Sequence, residues 1–221
     1  IVYYSQTGQL KDIVDRFSTP FIDKNFSVEI VNIPLLEEFA FPWTGKKFFN
    51  VMPESVLGIP SKIGELKFKE SSYDLIIFAY QPWYLSLSIP ANSILHEPAV
   101  NSILKNTPVV TLIAARNMWI SSQEKLKKIL CEAGAKLVGN IALVDKNANP
   151  ISAITILYWM MTGKKDKYLG VFPKPGIAEE DIQRAKVFGK TVGEYLLKEN
   201  WDGLQQQLVA QNAVEVKSNL M

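Results

Sequence analysis

The residues Ser5-Gln6-Thr7-Gly8-Gln9 follow directly on the β-branched and aromatic run Ile1-Val2-Tyr3-Tyr4. They lead into Leu10, Ile13, Val14 and Phe17, which keep helical spacing. A phosphate at such a strand-to-helix junction accepts hydrogen bonds from the hydroxyls of Ser5 and Thr7. Main-chain N–H groups from Thr7 through Leu10 add to these, and the helix dipole favours the negative charge. Gly8 allows close approach of the backbone. The loop holds no Lys or Arg, which suits a neutral cradle for a monoester phosphate better than a triphosphate loop ending Gly-Lys-Ser/Thr. The competing reading is an ordinary polar turn with a helix cap.

Two further loops carry chemistry-bearing side chains. The first runs Gln81-Pro82-Trp83-Tyr84-Leu85, and in it Trp83 and Tyr84 can either cover a planar ring or pack the loop onto the core. The second runs Arg116-Asn117-Met118-Trp119. Here Arg116 can pair with an anionic group or ring oxygens, Asn117 can donate to a carbonyl, and Trp119 can form a third wall. The bland alternative is a surface Arg and a capping Asn. Tyr84 and Arg116 are the candidates for polarising a substrate carbonyl. Cys131 and His96 are the single residues of their types. They permit no internal disulfide and cannot supply the three or four ligands zinc uses. Cys131 is expected mid-helix among core residues, and His96 in a structural or solvent-facing place.

These loops need a scaffold, and the chain supplies one by alternation. Strands are expected at residues 1–4, 27–33, 73–80, 108–115 and 137–144; the third, Leu75-Ile76-Ile77-Phe78-Ala79, is apolar throughout, as in a strand buried on both faces. Helices are expected from Gln9 to a stop at Pro20, over residues 121–133, and over 178–198. The second has a capping box of Ser121 and Glu124 and stops at Gly134. In the third, Gly189 and Gly193 allow close approach to a sheet. Residues 34–72 and 146–176 read as irregular insertions, the first rich in aromatics and Pro, the second carrying the apolar run Ile151 to Met161. The run Lys164-Lys165-Asp166-Lys167 reads as a solvated loop. One domain over 1–199 and a peripheral polar tail over 200–221 follow. Five strands alternating with helices predict a doubly wound parallel sheet in the order 2-1-3-4-5, with ligands at the strands' carboxyl ends.

Bulk properties narrow the partners. The 221 residues carry 24 Lys and Arg against 22 Asp and Glu, too even a balance to favour nucleic acid or an anionic membrane surface as partner. No run approaches the roughly 20 apolar residues of a membrane span. One cysteine fits a reducing, cytoplasmic setting. The chain opens at Ile1 without an initiator Met, which leaves upstream targeting residues open. The aromatic insertion and the Ile151–Met161 run can wall a pocket for an apolar or aromatic small molecule, or form a homodimer interface or a packed insertion.

The first loop resembles the flavodoxin pattern hydroxyl-x-Thr-Gly-x-hydroxyl, and Pro82-Trp83-Tyr84 resembles the second flavin loop of flavodoxin-like quinone and flavin reductases. Leu10 stands where flavodoxins usually keep Thr or Ser. The resemblance implies a flavodoxin-like fold and flavin mononucleotide (FMN) as cofactor. Ser5, Thr7, Gly8, Gln9 and Leu10 would then lie at the phosphate, with Pro82, Trp83, Tyr84, Asn117 and Trp119 around the ring; a reduced nicotinamide would be an electron partner. Over most of its length the chain is also similar to the bacterial dialkylresorcinol condensing enzyme family, through Tyr3-Tyr4-Ser5-Gln6-Thr7-Gly8-Gln9-Leu10, Phe41-Pro42-Trp43, Pro53 to Pro60 and Arg116-Asn117-Met118-Trp119. That family accompanies a ketosynthase that makes alkylated aromatic lipids. Carbon–carbon condensation normally uses a Cys nucleophile with base partners, so oxidation of a cyclohexanedione-like ring to the aromatic resorcinol is the step this chain suits. The alternatives are a flavin-free accessory or cyclase protein of that route and a flavodoxin-type electron carrier.

Overall fold

Residues 1–215 are described here, in a computed structural model. In chain order the elements are β1 (Val2–Tyr3), α1 (Gln9–Asp23), β2 (Val31–Asn32), α2 (Gly45–Asn50), α3 (Met52–Leu57) and β3 (Ile76–Tyr80). A small hairpin of β4 (Pro82–Trp83) and β5 (Ser86–Leu87) precedes α4 (Ile89–Ile94) and α5 (Pro98–Leu104). Then come β6 (Pro108–Ala115), α6 (Ile120–Glu132), β7 (Lys136–Val144), α7 (Asn149–Thr162), α8 (Glu179–Leu197) and α9 (Leu204–Ala210).

The five long-range strands form one parallel sheet in the order β2-β1-β3-β6-β7. Counted along the chain this is the predicted 2-1-3-4-5 order of a flavodoxin-like fold. Alternation along the strands divides the core. Ile76, Phe78, Tyr80, Val109 and Ile113 face a layer of α4, α5, α6 and the first insertion. Ile77, Ala79, Val110, Leu112 and Ala114 face α1, α8 and α9. The chain turns outward in opposite directions after β1 and β3, so the crevice between them lies at the switch point of the sheet.

Several local expectations are corrected. The second strand shrinks from residues 27–33 to Val31–Asn32, where the Val31 and Ile33 N–H groups donate to the Ile1 and Tyr3 carbonyls at 2.8 Å. Helix α1 runs through Pro20 to Asp23, because Phe21 beyond it packs on Phe17 and Phe26 at 5.6 Å between ring centroids. That burial outweighs the hydrogen bond proline lacks. The Ser121–Glu124 capping box does not form: α6 starts one residue earlier, and the neighbouring Ser122 hydroxyl donates to the Trp119 carbonyl at 2.7 Å. Cys131 is exposed, not among core residues. The second insertion contains a full helix, α7.

Gly189 serves a helix rather than the sheet. A Cβ there would lie 2.0 Å from the Phe17 carbonyl oxygen, so α8 meets the backbone of α1 directly. The segment after Asn200 is not peripheral as far as it is described. Leu204, Leu208 and Ala213 are fully buried, with the two leucines closing over Gly139 of β7. The Gln205 side chain accepts from the Asn140 N–H at 2.6 Å and donates to the Asn140 carbonyl at 3.3 Å, and Ala213 accepts from the Ala142 N–H at 2.8 Å. Residues 216–221 of the predicted tail lie outside the described residues.

Candidate functional site

A cleft of about 390 Å³ opens at the carboxyl ends of β1, β3 and β6. Its size falls in the range of small-molecule and cofactor sites, about 300–1,000 Å³. Gln6, Thr7 and Gln9 form one side, and Gln81 through Leu85 the next. Ala114 to Arg116 and Met118 form a third. The insertions close it: Trp43 and Phe48 come from the first, and Ile156, Trp159, Met160 and Gly176 from the second, with Ile177 directly after it.

The first loop is open for an anion. Gly8 caps α1 in the left-handed conformation (φ 87°), and a Cβ there would meet nothing within 4 Å. The Ser5 hydroxyl oxygen accepts from the Lys11 N–H at 3.2 Å, which leaves its O–H to donate outward. The N–H groups of Gly8, Gln9 and Leu10 and the Thr7 hydroxyl have no hydrogen-bond partner among the described residues. These donors stand at the positive end of a 15-residue helix, and of their residues Thr7 and Gln9 line the cleft.

The Leu10 side chain is fully buried against the sheet, so only its main chain belongs to the loop. One predicted contact is corrected. Trp119 packs into the core beside α6 and does not line the cleft, because its carbonyl starts that helix and its ring fills the layer beneath. Gln9 lines the cleft, but its side chain is spent on Ile177, accepting from its N–H and donating to its carbonyl, both at 3.1 Å. Thr7, Gly8 and the main chain of residues 8–10 are the part of the loop left free.

The second loop is a tight hairpin whose turn residues Tyr84 (φ 49°) and Leu85 (φ 64°) both occupy the left-handed region. Two-residue hairpins demand such angles and normally fill them with Gly or Asn. A Tyr-Leu pair there carries strain of the kind that collects at ligand sites. What holds it is visible. The Tyr84 hydroxyl donates to the Phe48 carbonyl, and its ring sits 5.2 Å from that of Phe48. Burial pushes the Tyr84 phenol up to about 12, so at neutral pH it is an O–H donor already committed to α2. Trp83 is nearly buried in a cluster of edge-to-face rings, 5.3 Å from Trp43 and 5.1 Å from Phe39. It lines the cleft as a fixed wall.

The third loop is tied to α7. Arg116 donates from Nη1 to the Asn149 carbonyl at 3.2 Å and to Asn149 Oδ1 at 2.8 Å, and the Asn117 Nδ2 donates to the same Oδ1 at 2.8 Å. Arg116 lines the cleft with donors to spare, whereas Asn117 stands behind it.

Reading the residue types did not single out Gln6 or the Trp43 indole. Both amide atoms of Gln6, the Trp43 Nε1 and the Asn117 Oδ1 are buried without a hydrogen-bond partner among the described residues. Gln6 and Trp43 line the cleft, and Asn117 sits between the lining residues Arg116 and Met118. Unpaired buried polar groups cost about 1–3 kcal/mol each, so their gathering at one cleft leaves both donors and acceptors open to a partner. A flavin has such a set on its pyrimidine ring and a phosphate for the loop; the residues present fit FMN. Among the described residues no three His, Cys, Asp or Glu side chains gather to hold a metal ion. No helix there is long and apolar enough to cross a membrane. Compared with protein-family models and with curated proteins, the chain matches none.

Proposed function

We propose that the chain binds FMN in this cleft and acts as an oxidoreductase on a small cyclic, quinone-like and alkylated substrate. The observation that carries the reading is the unpaired set of Gly8, Gln9 and Leu10 N–H groups and the Thr7 hydroxyl at the head of α1, beside a cleft that Thr7 and Gln9 line and aromatic side chains wall. When bound, FMN supplies the hydride chemistry. The chain's own residues bind and orient. The Ser5–Leu10 loop holds the phosphate, and Pro82 to Leu85 and Trp43 fix the ring plane. The Gln6 amide and Trp43 N–H answer ring heteroatoms. Arg116 is the residue with donors free to polarise a carbonyl of the substrate.

The motif resemblance to the dialkylresorcinol condensing enzyme family supports an alkylated ring as substrate. The aromatic and aliphatic lining from Phe48, Ile156, Trp159 and Met160 suits such a molecule. In the aromatising direction a cyclohexanedione-like ring loses a hydride and a proton and becomes a resorcinol.

Titration of the purified chain with FMN, followed by flavin fluorescence and visible absorbance, tests the reading. Saturable binding is expected, weakened about tenfold in Thr7→Ala by loss of one hydrogen bond to a charged group. A chain that stays colourless and leaves flavin fluorescence unchanged would sink the flavin assignment and favour a flavin-free accessory role. Equal affinities in the two proteins would move the phosphate away from this loop.

A further inference from the structure

Helix α7 is apolar on its outer side as well as on the side that faces the cleft. Its buried side carries Ser152, Thr155 and Trp159, with the Ser152 hydroxyl donating to Asp145 at 2.7 Å. Its other side carries Ile154 and Leu157, exposed by 45% and 47%, together with Tyr158 at the i+4 spacing from Ile154. A surface helix ordinarily keeps its outer side polar. The segment that follows extends the apolar face. Tyr168 lies 4.6 Å from Tyr158 and 5.6 Å from Phe172, which lays this segment along the outside of α7. Between these anchors Leu169 and Val171 stand 72% and 80% exposed. In the same segment Lys164, Lys165, Lys167 and Lys174 are exposed, Lys165 with its Nζ 5.2 Å from the centre of the Trp159 ring, and Asp166, which accepts from the Tyr158 hydroxyl, is the one acid of residues 149–174.

We propose that the outer face of α7 and residues 164–174 dock on an anionic lipid surface. Protruding aliphatic side chains ringed by lysines are the composition of interfacial membrane segments: the apolar groups enter among acyl chains, and the ammonium groups reach the headgroups on flexible stems. The charge decides against a second copy as occupant, because a two-fold interface through this face would set lysine clusters against each other. The opposite side of α7 presents Ile156, Trp159 and Met160 to the cleft, so docking would bring lipid within about 10 Å, one helix diameter, of the candidate site. The proposal is independent of the flavin reading.

Flotation of the full chain, without FMN, on vesicles of phosphatidylglycerol with phosphatidylcholine tests it, with pure phosphatidylcholine as the neutral arm. Binding to the anionic vesicles is expected, falling as salt rises. The variant Lys164→Gln/Lys165→Gln/Lys167→Gln should lose about two orders of magnitude in partitioning. The variant Leu169→Asp/Val171→Asp should lose binding while keeping its circular dichroism and melting temperature, since both sites are exposed. Absence of binding by the unaltered chain would overturn the proposal. So would equal binding by the variants, or a concentration-dependent dimer, abolished by Leu169→Asp/Val171→Asp, in a chain that ignores vesicles.

Discussion

The side chain of Gln9 and the main chain of Ile177, 168 residues apart, form a closed pair of hydrogen bonds at 3.1 Å. This pair fastens the end of the second insertion to the first turn of α1 and sets one border of the cleft. Gly176 makes the approach possible: it has φ 86°, and a Cβ there would lie 2.7 Å from the Gln9 Oε1 and 2.8 Å from the Trp159 ring.

Replacing Gln9 by Ala leaves the Ile177 N–H and carbonyl without partners. We expect a loss of stability of about 2 kcal/mol in urea denaturation. Faster amide exchange at Ile177 should accompany it. Unchanged exchange there would mean the clamp does not hold the segment.

Gln6→Leu separates a binding role from a structural one. Removing a buried amide that has no partner leaves stability unchanged or raises it by about 1 kcal/mol, whereas FMN affinity falls. Parallel thermal melts and FMN titrations read both. A destabilised variant with intact affinity would make Gln6 a structural residue.

Tyr84 gives a signature at alkaline pH. Its phenol is raised from 10.0 to about 12 by burial, so the unfolded chain loses this proton first as pH rises. The stabilisation is therefore fully present below about pH 10 and is lost between about pH 10 and 12. In Tyr84→Phe the fall of the urea midpoint across that window should be shallower. Tyr73, pushed up to about 12 by burial and then by its hydrogen bond to Glu29, keeps part of the slope in the variant. Identical slopes would remove Tyr84 from the account.

Gly189→Ala tests the contact between α1 and α8. A methyl group 2.0 Å from the Phe17 carbonyl oxygen forces the helices apart, at a cost of about 3 kcal/mol. Chemical denaturation measures it, and a loss below about 0.5 kcal/mol would show that the helices slide freely.

The central strands were legible because β3 and β6 are apolar on both faces, a pattern that few other elements share. The loop after β1 was legible as a strand-to-helix turn from Gly8, which caps α1. Helix α7 was not, because Ile154 and Leu157 on its outer side and Ile156, Trp159 and Met160 on its cleft side leave no single apolar stripe by which a helix is recognised. Pro20 misled for the opposite reason: propensity is local, and Phe21 is held by tertiary packing. The inward turn of Leu10, the commitment of Gln9 to Ile177 and the orphaned amide of Gln6 depend on which residue comes near in space, and spacing along the chain carries no record of it. The polar composition after Asn200 hid Leu204, Leu208 and Ala213, three apolar residues that find one groove.

The Gln205 and Ala213 contacts with β7 have a consequence for self-association. β7 is the nine-residue outer strand of the sheet, and its Asn140 and Ala142 main-chain groups would otherwise be available to a strand from another molecule. By pairing with them, the segment after Asn200 acts as a guard against edge-to-edge polymerisation. A chain ended at Asn200 would keep its parallel core yet present an open template, and its first failing would be insolubility rather than loss of the cleft.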